Sequence, residues 1–160
     1  MQRATENADV ALIECINPRK NKWRVRWDVK TTDDGANWME EEYTHKPTID
    51  EIKATIKGWY NEQTDEKIHS GFVWNEMAIW LSTENQFNYK ATYDFAVQTN
   101  GATLPVTFKF GTDEEPIYKT FDTLDELADF YAKAMAYVQS VLADGWSAKD
   151  GINWAQYEQV

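Results

Sequence analysis

Cysteine occurs once and histidine twice in the 160 residues. Cys15 has no internal partner for a disulfide, so the chain does not rely on an oxidising compartment, and a structural zinc centre lacks the ligands it needs. Its place in "ALIECINP" suits a buried small hydrophobe better than a reactive thiol. The seven glycines are scattered. They form no G-x-G-x-x-G or G-x-x-x-x-G-K loop to cradle a phosphate, and no G-x-S-x-G elbow presents a serine nucleophile. Positive charge is also in deficit: 16 Lys and Arg face 27 Asp and Glu, for a net charge of -11. A polyanion is bound by cations that displace its counterions, so the balance argues against a nucleic-acid partner. A DNA mimic would use such acidity, but here the carboxylates are spread over loops and helix faces. No run of 18 apolar residues is present, so membrane insertion is not expected, and "MQRATENADV" has no apolar stretch of a signal peptide.

Aromatic residues are plentiful, with eight Trp among them. Large rings in this number suit either a core of bulky side chains or a surface that grips sugars or proteins. Residues 10 to 16, "VALIECI", read as a strand closed by "NPRKN". In "KWRVRWDVK" strict alternation puts Trp23, Val25, Trp27 and Val29 on one face and Arg24, Arg26, Asp28 and Lys30 on the other. "TTDDGAN" then supplies an Asp-Gly turn into "WMEEEY", completing a meander. There Met39 and Tyr43 share one face while Trp38 sides with Glu40 and Glu42, so Trp38 is the tryptophan expected in solvent.

"PTIDEIKATIKGWYNEQ" predicts a helix that opens with a capping box between Thr48 and Glu51 and packs through Ile49, Ile52, Ile56 and Trp59. "HSGFVW" and "MAIWL" predict a hairpin turning at Asn75-Glu76. A second helix is expected from about Thr83 to Thr99, packed by Phe87, Ala91 and Phe95 with Tyr89, Tyr93 and Val97 beside them, and Gly101 follows its end. "LPVTFKFG" and "IYKTF" predict a second hairpin. A third helix starts at Thr123 with a capping box to Glu126, packs through Leu124, Leu127, Tyr131, Ala134, Val138, Val141 and Leu142, and breaks at Gly145. The tail offers one more short helix carrying Trp154 and Tyr157. "PTIDEI" and "DTLDEL" match in register, which fits two ordinary capped helices as well as a duplicated unit. The expected class is α+β, with antiparallel hairpins and a meander alternating with three main helices. Residues 1–64 form a meander-plus-helix subdomain and residues 65–160 a second, sharing one core or folding apart.

Chemistry is hard to locate. His45 and His69 are isolated, no serine has local support for a triad, and "TTDDGAN" and "GTDEEP" miss the spacing of a calcium loop. No catalytic, metal or cofactor-binding residue is assigned, and an enzyme is not expected. In "WLSTENQFNY", Ser82 or Thr83 caps a helix, with Gln86 the capping-box partner of Thr83. Trp80 lies opposite Met77, Ile79 and Leu81. Trp38, Trp80, Asn85 and Asn88 are therefore the candidates for contact with a partner or a glycan.

"SGFVWNEMAIWLSTENQFNYKATYDFA", "LPVTFKFG" and "TFDTLDELADFYAKAMAYVQSVLADGW" together resemble an uncharacterised domain of phage tail, tail-fibre-associated and prophage proteins, over about residues 65 to 150. The resemblance implies a non-enzymatic structural or attachment role in a virion tail, with other tail or baseplate proteins or a second copy as partners, and bacterial cytoplasm as the place of assembly. It brings no catalytic residues, and it makes Ser82 to Gln86 a recurrent helix entry. Two alternatives remain: a carbohydrate-binding module for host-surface glycan, stacking on Trp38 and Trp80, or a small acidic phage-encoded inhibitor of a host protein.

Overall fold

The alternating run from Lys22 becomes one of the two central strands of an antiparallel sheet. In the computed structural model, which describes residues 2–5, 10–33 and 35–158, β1 (Gln2–Thr5), β2 (Ile13–Asn17), β3 (Lys22–Thr32) and β4 (Gly35–Tyr43) form one four-stranded sheet in the order β1-β4-β3-β2. β1 was not expected from the sequence, and Asp34 of the anticipated turn lies outside the described residues. Val25 and Trp27 are buried as the alternation requires. Asp28, at φ 50°, marks an irregularity between Trp27 and Lys30 that breaks the alternation before Val29.

The opposite face is closed as well, which corrects the reading of Trp38. Only 7% of Trp38 is exposed. Its Nε1–H donates to Glu40 Oε2 at 3.0 Å, and the Arg26 guanidinium carbon lies 5.5 Å from its ring centroid. Arg26, itself buried, donates to Glu14 Oε2 and to the Ala11 carbonyl, both at 2.7 Å. Across the strands, Arg24 donates to Glu42 at 2.6 Å. The arginines on this face are therefore paired with carboxylates, Glu14 and Glu42 keeping 46% of their side chains exposed to water, and Trp38 is buried beside them.

α1 (Ile49–Ser70) begins at the expected capping box: Glu51 N–H donates to Thr48 Oγ1 at 3.3 Å and Thr48 N–H to Glu51 Oε2 at 2.8 Å. It runs beyond Gln63, burying Ile68 in its last turn. Two hairpins follow, β5 (Phe72–Trp74) with β6 (Met77–Ile79), and later β7 (Val106–Gly111) with β8 (Pro116–Phe121), separated by α2 (Thr83–Gln98). α3 (Leu124–Asp150) starts at Thr123, whose hydroxyl accepts from Glu126 N–H at 3.3 Å. The reciprocal half of that box is replaced, because the Glu126 carboxylate pairs with Lys119. Contrary to expectation, Gly145 does not end α3. A Cβ there would sit 2.4 Å from Thr64 Oγ1, so the glycine lets α1 and α3 approach closely. A 3-10 turn at Trp154–Tyr157 realises the short helix of the tail, and the buried Tyr157 hydroxyl donates to the Arg26 carbonyl at 2.9 Å.

The α+β class is thus realised, with antiparallel sheets and three α-helices among the described residues. The chain divides into two compact units, Met1–Trp59 with Gly151–Val160, and Tyr60–Asp150. In the first, the Trp27 and Trp59 rings meet edge to face at 6.2 Å. The second is built on an aromatic cluster around Phe130, which is fully buried and has Trp74, Tyr89, Phe110 and Phe121 within 5.4 Å, centroid to centroid. At the end of α1 in this unit, Tyr137 of α3 donates its hydroxyl to the Lys67 carbonyl at 2.7 Å, and Gly71 passes so close that a Cβ would meet the Tyr137 oxygen at 2.1 Å.

Candidate functional site

α2 packs through the face opposite to the one its spacing suggested. Tyr89 and Ala96 are buried, and Tyr93 stacks on Tyr131 of α3 at 4.8 Å. Phe87, Ala91 and Phe95 point to solvent, with Phe87 69% and Phe95 58% exposed. Val97, expected beside the core, is exposed too. Residues two apart are separated by about 200° around a helix, so the line through Tyr89 and the line through Phe87 cannot both face inward. Tyr89 takes the inner side because Phe108 and Phe130 receive its ring at 4.8 and 5.1 Å. Burial pushes its phenol up to about 12, so it stays neutral at physiological pH.

The entry to this helix is tightly tied. Ser82, not Thr83, is the N-cap, accepting from Asn85 N–H at 3.2 Å. Asn85 Nδ2 donates to the Trp80 carbonyl at 2.8 Å, and Gln86 Nε2 donates to the Leu81 carbonyl at 2.7 Å rather than completing a box with Thr83. Leu81 N–H in turn donates to the His69 carbonyl at 2.9 Å. These bonds fix the backbone that carries Trp80. Its indole is 48% exposed and lies against the His69 ring at 5.3 Å with an interplanar angle of 36°.

Trp80 and Asn85 form one wall of a surface cavity of about 500 Å³, a volume within the range of small-molecule sites. The other wall is the end of the β7–β8 hairpin, which contributes Lys109, Thr112 and Asp113, with Tyr89 and Phe110 between. Lys109 Nζ donates to Asp113 Oδ1 at 2.6 Å, and this pairing raises the lysine and lowers the carboxylate from their ordinary values. Gly111, at φ 75°, makes the turn into this wall, where a Cβ would stand 2.4 Å from the Glu115 carbonyl oxygen. Of the four candidates from the sequence, the structure brings Trp80 and Asn85 together. Asn88 is exposed on α2 but does not line the cavity, and Trp38 is buried in the first unit. Sequence reasoning missed Lys109, Thr112 and Asp113, which follow by more than twenty residues and join only through the hairpin.

Among the described residues, no group of three or more His, Cys, Asp or Glu is placed to hold a metal ion, and no helix is long and apolar enough to cross a membrane. Compared with known proteins, the chain matches no family model, no curated protein and no solved structure.

Proposed function

We propose that the chain is a non-enzymatic structural or attachment component of a phage or prophage tail, acting through protein–protein contacts made by the outer face of α2. The observation that carries this reading is the pair Phe87 and Phe95, about two turns apart with Ala91 between them, both exposed on a helix whose inner face is already packed. Aromatic side chains held in water on a rigid helix are typical anchors of a protein interface. The net charge of -11 opposes pairing of two copies and favours a different tail or baseplate protein, with apolar side chains for the two rings and a basic rim. The tail setting comes from the resemblance over residues 65 to 150.

Coexpression with each tail and baseplate protein of the same genome tests the reading. A stable complex is expected with one of them, weakened at least tenfold by Phe87→Ser/Phe95→Ser with the fold unchanged by circular dichroism. A complex indifferent to both substitutions, absence from purified particles, or a homodimer that the double variant dissolves would each overturn it.

A further inference from the structure

We propose that the cavity beside Trp80 binds one neutral pyranose residue of a glycan. The site lies apart from the outer line of α2 and does not depend on the protein-contact reading. An exposed indole is usually mobile, but this one is held in place: His69 backs the ring, and Asn85 ties down its carbonyl. The ring is therefore preorganised as a platform, and a sugar offers it a face of C–H groups whose positive edge suits the negative face of the π-system.

The polar groups around the platform select the ligand class. Asn85 spends one of its two amide N–H groups on the Trp80 carbonyl and keeps the other as a donor and its carbonyl oxygen as an acceptor. Thr112 Oγ1 accepts from Glu115 N–H at 3.0 Å, which leaves its own proton to donate. Lys109 and Asp113 satisfy one another through a single N–H and a single oxygen, so each retains capacity for a hydroxyl. Donors and acceptors thus share one cavity with an aromatic face, a combination that suits a polyol. A purely apolar ligand would strip water from these groups without replacing it. An anion would meet the Asp113 carboxylate within a strongly acidic chain. A neutral pyranose satisfies both conditions.

The test is a titration of the full ¹⁵N-labelled chain, followed through the Trp80 indole and Asn85 amide resonances. The probes are the methyl β-glycosides of glucose, galactose, mannose and N-acetylglucosamine, with inorganic phosphate as the anionic control. At least one glycoside is expected to shift both resonances saturably. The response should vanish from Asn85 in Trp80→Ala, weaken at least fivefold in Thr112→Val, and persist unchanged in Phe87→Ser/Phe95→Ser, which separates this site from the protein-contact face. No saturable shift with any of the four glycosides overturns the proposal. So does a response that survives intact in both Trp80→Ala and Thr112→Val, or one produced by phosphate and by none of the sugars.

Discussion

Replacing Phe130 by alanine tests the assignment of inside and outside in the second unit. The ring is fully buried, and besides its four nearest aromatic neighbours it has Phe108 at 5.9 Å and Phe72 at 6.4 Å. Truncating a buried phenylalanine costs about 3–5 kcal/mol, from lost transfer energy and the cavity left behind. The six ring contacts place Phe130→Ala near the upper end, although individual aromatic pairs at about 0.5–1.5 kcal/mol do not add. With a urea slope of about 2 kcal/mol/M, the unfolding midpoint should fall by about 2 M, read by far-ultraviolet circular dichroism. Phe87→Ala changes the same residue type at a site 69% exposed, and should move stability by no more than about 0.5 kcal/mol. If Phe130→Ala does not fold, Phe130→Leu keeps the comparison open and should still lose more than Phe87→Ala. Equal losses at the two positions would put the outer line of α2 in the core and refute the packing described above.

Other expectations follow from the helix ends and glycines. Ser82→Ala should lower stability by about 1 kcal/mol in chemical denaturation, because Asn85 N–H loses its acceptor. Gly58→Ala should stabilise by up to about 1 kcal/mol, since nothing lies within 4 Å of the added Cβ, whereas Gly145→Ala should forfeit that gain or reverse it by crowding Thr64 Oγ1. Thermal melts of the two variants should shift in opposite directions or at least differ clearly. The Glu51 carboxyl is held below its ordinary value of 4.5, first by the Thr48 backbone N–H, then by the Thr48 hydroxyl and His45. Its contribution is complete above pH 4.5 and is lost as pH falls through the depressed folded value, because the unfolded chain takes up the proton first. Stability measured from pH 7 downward should therefore decline less steeply below pH 4.5 in Glu51→Gln than in the parent chain.

Much of the fold was legible where the signal was local. The Thr48 and Thr123 caps, the two hairpins and the alternation around Val25 and Trp27 are each set within a few residues. Side choice was less accessible. On α2, Phe87-Ala91-Phe95 and Tyr89-Tyr93 are equally good four-residue lines, and Phe108 and Phe130, far along the chain, decide between them. Trp38 was misjudged because charge on a strand face was equated with solvent. Arg24 and Arg26 instead pair with Glu42 and Glu14, which lets the indole be buried beside them. The cavity was half visible, through Trp80 and Asn85, since its other wall comes from a separate hairpin whose approach no spacing announces.

The Tyr137 hydroxyl on the Lys67 carbonyl has a consequence for how α1 acquires its end. The contact joins residues 70 apart in sequence, and the tight passage at Gly71 is shaped around the same oxygen. A peptide of α1 alone would carry its own start signal at Thr48 and Glu51, but it would fray at Lys67 to Ser70. The end of the helix is therefore held from outside, by Tyr137 of α3 on the Lys67 carbonyl and by Leu81 N–H on the His69 carbonyl, so its last amides should gain hydrogen-exchange protection later in folding than those of the first turns.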